Sequence, residues 1–384
     1  MFTAGINFIN FRKKIKTSLV KKKLILLIKE KNEVIQSLGK NYKYNFENKI
    51  LKKYRNSKNF RIIGMGGSTL GTQTIYDFLK NKIKKKFLFI DNLQVTKKKN
   101  NKEKFTNLIV SKSGNTIETI VNFNFLIKKK DKNIFITENK KSYLYLLAEK
   151  LKAEIIHHNN YIGGRYSVLS EVGMLPAELM GLNPNNFKQF DALIKNKNFM
   201  NSLIKNVSST IDFIEKKKFN SIIINYDERS ENLFKWYQQL VAESLGKNKK
   251  GLLPIVSTMP KDNHSVMQLY LDGFENNFFT FFYVHESKSE KINNTHILHS
   301  QSYLKNKNLS DITFAQKKAT ENVFIKKKIP FRSFEIKKRD EKTLGELFCF
   351  FILETILVGK SLDLNPYDQP AVELIKKETK NLLI

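Results

Sequence analysis

The stretch Leu108–Thr119, LIVSKSGNTIET, has the pattern of a buried strand that opens through a polar loop into a helix. Its first three residues form a short apolar run, which is typical of the end of a buried strand. Residues 117–127 then have helical character, with Glu118 in the first turn. The stretch therefore predicts a strand, a loop at residues 111–116 and a helix.

This loop has the chemistry of a phosphate site. The first turn of a helix leaves backbone N–H groups without partners, and the helix dipole favours an anion there. Ser111, Ser113 and Thr116 add hydroxyl donors, and Lys112 adds positive charge. Ser, Asn and Thr are also ordinary N-cap residues, so a capped turn without a ligand is the alternative interpretation.

A second pattern of this kind lies at residues 60–71, FRIIGMGGSTLG. Here an apolar strand ends in a glycine turn, in which Gly67 lets the backbone approach a ligand closely and Ser68 can donate to it. The spacing is not that of the dinucleotide fingerprint G-x-G-x-x-G, and it supports nucleotide binding only weakly.

Strand and helix patterns alternate along the chain, which predicts doubly wound parallel sheets with helices on both faces. Ligands in such sheets bind beyond the carboxyl ends of the strands, so Ser68 and the loop at 111–116 should share one ligand. Besides the strands of the two patterns above, we expect strands at 87–91, 133–137, 154–158, 221–225, 252–257 and 278–285.

A length of 384 residues suits two domains, each large enough for its own core. We expect an N-terminal helical segment at 1–57, a first α/β domain with the phosphate site at 58–205, a second α/β domain at 206–340 and a C-terminal helical segment at 341–384. The last of these is expected to break at residues 365–370, NPYDQP.

The formal net charge of +32 would ordinarily raise nucleic acid or an anionic membrane as a partner. Only seven of the 68 basic residues are Arg, the residue preferred for base and phosphate forks. The Lys runs are spread along the chain, so we expect solvated faces and neither specific nucleic-acid binding nor membrane association. The runs lie at 21–23, 84–86, 97–99, 128–130, 216–218 and 326–328.

The single cysteine, Cys349, excludes an intramolecular disulfide and a multi-Cys zinc site. It stands in an apolar segment, where a packed thiol is expected. No His, Asp and Glu residues have metal-ligand spacing, so we expect no metal. No apolar run reaches the length of a membrane span, and a cytoplasmic location is expected.

Two further segments carry candidate chemistry. Gly163-Gly164-Arg165 places a guanidinium beside bare backbone, which suits an anion or a developing oxyanion, although a turn with a solvated Arg is the alternative. The helical segment 231–245 holds Gln239 and Glu243, and Glu243 could equally be a surface acid beside Lys247.

Taken in order, these segments resemble the glucose-6-phosphate isomerase family, in a shortened bacterial form. The resemblance runs from about residue 58 to the end, and six motifs in the family's order make it specific. They are GMGGSTLG (64–71), SKSGNTIET (111–119), GGRYSVLSEVG (163–173), QQLVAESLGK (238–247), DNHSVMQLYLDG (262–273) and NPYDQPAVELIKK (365–377).

The resemblance implies two sugar-isomerase (SIS) domains that interconvert glucose 6-phosphate and fructose 6-phosphate without a metal or other cofactor. It implies that Glu243 moves a proton between C1 and C2, that His264 and Lys376 serve ring opening, and that Arg165 stabilises the intermediate. It also implies a homodimer in which His264 enters the neighbouring subunit's site. The implied substrate-binding residues are Gly67, Ser68, Ser111, Lys112, Ser113, Thr116, Gln239 and Gln369.

Two alternatives stay open at this point. A dual glucose/mannose phosphate isomerase needs only a roomier site around C2. A non-catalytic SIS-type sugar-phosphate-binding protein would explain Ser68 and the loop at 111–116, but it would leave Glu243, His264 and Arg165 without a role.

Overall fold

Two five-stranded sheets form the framework of the part of the chain that the structure describes. The structure is a computed structural model and describes residues 2–93, 103–128, 131–286 and 288–384. The Lys run at 97–99 and two residues of the run at 128–130 lie outside these ranges. The strands are β1 Ile6–Ile9, β2 Asn59–Ile63, β3 Lys86–Ile90, β4 Thr106–Val110, β5 Lys132–Thr137, β6 Glu154–His157, β7 Asn220–Asn225, β8 Leu253–Thr258, β9 Asn277–Val284 and β10 Phe331–Ile336.

Helices connect the strands and cover both sheets. They are α1 Ser18–Lys29, α2 Glu33–Gln36, α3 Asn48–Tyr54, α4 Leu70–Phe78, α5 Ile117–Leu126, α6 Tyr143–Lys150, α7 Glu171–Leu179, α8 Phe190–Leu193, α9 Lys197–Glu215, α10 Glu231–Leu245, α11 Met267–Asp272, α12 Leu309–Lys326, α13 Glu341–Ser361 and α14 Val372–Leu383. Short 3₁₀ helices lie between several of them, including Gly66–Ser68 and Gly164–Leu169.

The first sheet is entirely parallel and has the strand order β3-β2-β4-β5-β6. All five residues of β4 are buried, as an apolar strand between two parallel neighbours requires. The strand order changes direction at β2 and β4, so the loops after these two strands lie at the point where ligands bind in such sheets. The predicted α/β class with parallel sheets is confirmed here.

The second sheet has the order β1-β10-β9-β7-β8, in which β1 runs antiparallel to β10 and the other described pairs are parallel. The sequence patterns did not predict β1 or β10. The segment 1–57 is therefore not wholly helical, because Ile6–Ile9 pairs with the distant strand Phe331–Ile336.

Strand β10 was not predicted because polar residues interrupt its apolar run. Its six residues, FRSFEI, are all buried, and Arg332 and Glu335 find their partners on other elements. Arg332 forms an ion pair with Glu354 of α13. Glu335 accepts hydrogen bonds from Lys317 and Lys318 of α12, each at 2.6 Å. These buried charges are tolerated because each one is paired.

Helix α13 is a central element of the hydrophobic core. In α13 every residue from Thr343 to Gly359 is buried, and the helix packs against α1, α9 and α10. Cys349 lies within it as a packed thiol, and burial raises the pKa of that thiol to about 12. Within the described ranges, no helix combines the length and the apolarity that a membrane crossing requires.

Candidate active site

A glycine turn after β2 forms the centre of the candidate site. Gly66 has φ +52°, a conformation that side chains with a Cβ rarely adopt. A Cβ on Gly67 would lie 2.3 Å from the carbonyl carbon of Gly164 and 2.5 Å from the amide nitrogen of Arg165. The turn can therefore pack directly on the backbone of the Arg165 segment only because residue 67 is glycine.

The loop after β4 lies beside this turn. Ile63 and Ile109, close to the ends of β2 and β4, are paired in register, so the loops that follow them emerge at the same edge of the sheet. Ser111 is buried, whereas Ser68 and Thr116 are half-buried. The Oγ atoms of Ser111 and Thr116 lie 2.8 Å apart. The structure thus brings the two predicted loops together at one rim.

Helix α6 holds the tip of the second loop in place. The amide of Tyr143 donates to Asn115 Oδ1 at 3.0 Å, and the amide of Leu144 donates to the carbonyl of Gly114 at 3.0 Å. Ser113 Oγ accepts from the amide of Asn115 at 3.3 Å. These bonds give the loop a fixed shape before any ligand enters, which lowers the entropy cost of binding.

Lys112 is the cation of this loop, and its ammonium group lies 3.3 Å from a carboxylate oxygen of Glu138 at the end of β5. His158, at the end of β6, is buried close to this lysine. Burial, the largest effect, lowers the pKa of His158 to about 4, so its imidazole is neutral at pH 7. Lys112 is therefore the cation that can meet an anion in this loop.

Arg165 is almost fully buried, and all five of its N–H groups have acceptors. Nε donates to Ser244 Oγ at 2.8 Å, and one terminal nitrogen donates to Glu243 Oε2 at 3.1 Å and to Gln369 Oε1 at 2.6 Å. The other terminal nitrogen donates to the carbonyls of Pro366 and Asp368, at 2.8 and 3.1 Å. The guanidinium is therefore held in one orientation.

Glu243 is the carboxylate of the site. Oε2 pairs with Arg165, and Oε1 accepts from Gln239 Nε2 at 3.0 Å, one helical turn earlier on α10. Its side chain keeps 31% of its surface exposed, so a ligand can reach it. The Oε1 atom of Gln239 is buried without a hydrogen-bond partner among the described residues. A Cβ on Gly66 would lie 2.9 Å from Gln239 Nε2, so this amide faces the glycine turn.

Three residues that lie in the quoted segments, but to which the sequence analysis assigned no role, support Arg165. Ser244 accepts from the guanidinium and shares a 2.8 Å hydrogen bond with Tyr166 Oη. Tyr166 Oη also donates to the carbonyl of Pro366 at 2.9 Å, and burial raises the pKa of this tyrosine, so it stays protonated. Trp236 Nε1 donates to the carbonyl of Arg165 at 3.0 Å. Ser244 follows Glu243 directly, but no sequence pattern indicates that its hydroxyl accepts a hydrogen bond from Arg165.

The C-terminal segment brings Gln369 to the site and leaves Lys376 outside it. Gln369 is exposed apart from its bond to Arg165. Lys376 lies on α14, where every residue except Thr379 is exposed, and it pairs with Glu373 at 2.6 Å. His264 is exposed at the end of a 3₁₀ helix that follows β8 in the second sheet. Among the described residues, the structure does not place Lys376 or His264 beside Glu243.

A separate cavity lies elsewhere in the molecule. It measures about 510 Å³ and is lined by residues of the N-terminal segment together with Asn159, Phe190 and Asp191. None of the site residues predicted from the sequence lines this cavity. Across the described ranges there is also no group of three His, Cys, Asp or Glu side chains that could hold a metal ion.

The assembled residues suit a proton transfer beside an anionic group. Glu243 can act as a base, and the fixed guanidinium of Arg165 can stabilise negative charge that develops on a neighbouring oxygen. The hydroxyls of the two rim loops and Lys112 can bind a phosphate away from the reacting atoms. Such an arrangement can position a phosphorylated polyol against a carboxylate.

Comparison with known proteins identifies relatives over most of the chain. The family model of phosphoglucose isomerase matches residues 51–383. The glucose-6-phosphate isomerase of Methanocaldococcus jannaschii is 34% identical over 355 residues, which cover 85% of each chain. The glucose-6-phosphate isomerase of Campylobacter jejuni is 32% identical over 347 residues, again 85% of each chain.

Solved structures share the fold. A hypothetical protein of Thermus thermophilus superposes with a TM-score of 0.81 at 21% identity, over 96% of this chain and 94% of that chain. A glucose-6-phosphate isomerase of Chlamydia trachomatis superposes with a TM-score of 0.66 at 16% identity, over 97% of this chain and 78% of that chain. The two-sheet SIS-type architecture expected from the sequence is confirmed by these likenesses.

Proposed function

Because this chain belongs to the phosphoglucose isomerase family, we propose that Glu243 carries the proton between C1 and C2 as the enzyme interconverts glucose 6-phosphate and fructose 6-phosphate. The isomerisation itself follows from the family, whose named relatives are glucose-6-phosphate isomerases. These names do not favour a non-catalytic sugar-phosphate-binding protein. The observation that supports Glu243 is its half-exposed carboxylate, held between Arg165 and Gln239.

The phosphate of the sugar binds at the rim of the first sheet. Backbone N–H groups come from the N-terminus of α5, and positive charge comes from Lys112. The hydroxyl donors are those of Ser68, Ser111, Ser113 and Thr116. Gly67 allows the glycine turn to close against the Arg165 segment. This binding energy is remote from C1 and C2, so it positions the sugar without hindering the reaction.

One base suffices for the transfer, because the proton that leaves one carbon returns to the other. Glu243 removes the proton from C2 of the open-chain aldose, which gives a cis-enediolate, and then delivers a proton to C1. General-base catalysis of this kind contributes roughly 10²–10⁴-fold in rate. Arg165 stabilises the negative oxygen of the enediolate, and the amides of Gln239 and Gln369 hydrogen-bond the sugar hydroxyls.

Ring opening needs a proton removed from the anomeric hydroxyl and a proton delivered to the ring oxygen. We assign these steps to His264 and Lys376, since an imidazole can accept a proton and an ammonium group can donate one. Both side chains are exposed in the single protomer. We propose a homodimer in which His264 of the partner subunit completes the site, and a cytoplasmic location that fits an enzyme of sugar-phosphate metabolism.

The purified protein tests this function directly. With fructose 6-phosphate, a coupled assay for glucose 6-phosphate in the presence of a chelator should report turnover. The Glu243→Gln variant should lose turnover while calorimetry shows nearly unchanged binding of fructose 6-phosphate. Glu231→Gln, at the half-buried start of the same helix, is the matched control and should keep wild-type rates. Wild-type turnover by Glu243→Gln would rule out this base.

A further inference from the structure

Glu138 faces the phosphate loop and has no part in the mechanism described above. It follows β5 directly, and its carboxylate lies 3.3 Å from the ammonium group of Lys112. The side chains keep 22% and 31% of their surfaces exposed, so the pair lies at the mouth of the loop. A carboxylate at this place is unexpected, because a phosphate that binds Lys112 meets a like charge.

The backbone and the side chain of Lys112 are held very differently. Its carbonyl accepts hydrogen bonds from the amide of Glu138 at 3.1 Å and from Thr137 Oγ1 at 3.3 Å. The ammonium group, by contrast, is paired at a distance that exceeds the 2.7–2.9 Å typical of a charge-assisted hydrogen bond. The main chain is therefore fixed while the ammonium can turn from Glu138 towards a ligand.

We propose that Glu138 sets the affinity of the site by competing with the substrate's phosphate for Lys112. This inference rests on the proposed function, because it takes Lys112 as a ligand of the phosphate. Phosphate binding is the same in glucose 6-phosphate and fructose 6-phosphate, so a tighter grip would not speed the chemical step. By competing for Lys112, Glu138 keeps the binding of the phosphate weak enough for either product to dissociate.

The test compares Glu138→Gln with Glu149→Gln, which removes the same charge from an exposed position of α6. Titration calorimetry with fructose 6-phosphate and with inorganic phosphate gives the dissociation constants. Glu138→Gln should lower both by about threefold, as expected for one partly screened charge pair. Glu149→Gln should leave both near the wild-type values, and Lys112→Met should abolish the gain when it is combined with Glu138→Gln.

Two results would overturn the proposal. One is an unchanged or weaker affinity in Glu138→Gln, which would make Glu138 a group that merely orients Lys112. The other is a gain of equal size in Glu149→Gln or in the Lys112→Met background, which would make it a general effect of net charge. Calorimetry measures binding and does not require turnover. If the protein bound sugar phosphates without isomerising them, the turnover assay would refute the proposed function, and the calorimetry would still test the role of Glu138.

Discussion

The role of Arg165 could be predicted from the sequence, but the groups that hold its side chain could not. A Gly-Gly-Arg motif in a chain with only seven arginines indicated a functional guanidinium, and the structure places it beside Glu243. Its supporting groups, Ser244 and the carbonyls of Pro366 and Asp368, could not be predicted. The acceptors of a buried donor are fixed by tertiary packing, and the two carbonyls lie 201 and 203 positions away in the chain.

At the same scale, Gly67→Ala tests the packing of the glycine turn. The new methyl group would lie within 2.5 Å of the backbone of Gly164 and Arg165, which cannot move aside as a flexible side chain would. We expect a loss of about 1–3 kcal/mol in the free energy of unfolding, with a large loss of isomerase activity. Urea denaturation and the coupled assay give the two values.

Gly163→Ala is the matched control for this substitution. A Cβ at this position would meet only Tyr166 Cδ2, at 3.8 Å, and the residue has φ −65°. It should keep near-wild-type stability and turnover. If both variants behaved alike, the close approach at Gly67 would not be what holds the turn in place.

At the scale of elements, the sequence predicted strands where the apolar run was plain and missed them where it was not. Residues 108–110 were found as part of β4, because the run is apolar and ends in a polar loop. β10 was missed because Arg332 and Glu335 interrupt its pattern, and their partners come from α13 and α12. β1 is short and pairs only with β10, so no local signal marks it.

The link between β10 and α12 gives a pH prediction. Burial alone would raise the pKa of Glu335, but the hydrogen bonds from Lys317 and Lys318 outweigh it and lower the pKa to about 2, from an ordinary value of 4.5. The unfolded chain therefore binds more protons between these values, and the stabilisation is lost as the pH falls from about 4.5 towards 2.

Urea denaturation of Glu335→Gln should show this loss. The variant should be less stable than the wild type above pH 4.5, and the difference should shrink as the pH approaches 2, because the wild-type carboxylate is then protonated too. Glu378→Gln, on the exposed helix α14, should match the wild type throughout. A difference that stays constant with pH would mean that the ion pairs of Glu335 contribute nothing to it.

At the scale of the whole molecule, the site residues fall into two groups. In one group, Arg165 contacts both Glu243 and Gln369, and Gln239 contacts Glu243. The other group, His264 and Lys376, is exposed. The sequence indicates all six, but it does not show which of them meet in space, because tertiary packing and subunit assembly leave no local pattern. Sequence motifs therefore predict which residue types the site uses better than they predict which of these residues lie close together.

Mixing inactive variants tests the proposed assembly. When Glu243→Gln and His264→Asn subunits are unfolded together and refolded, half of the dimers are mixed, and each mixed dimer holds one intact site. About a quarter of the wild-type activity should return. Glu243→Gln mixed with Arg165→Lys should recover none, because these two residues contact each other in one protomer. Equal activity in both mixtures would contradict a shared site.

The fate of the transferred hydrogen tests the central role of Glu243 most directly. Fructose 6-phosphate is incubated with the enzyme in D₂O, and NMR measures deuterium at C2 of the glucose 6-phosphate that forms. A half-exposed carboxylate exchanges its proton with solvent, so the wild type should introduce deuterium at C2 and Glu243→Gln should introduce almost none. Labelling of C2 by Glu243→Gln at the wild-type rate would contradict the assignment.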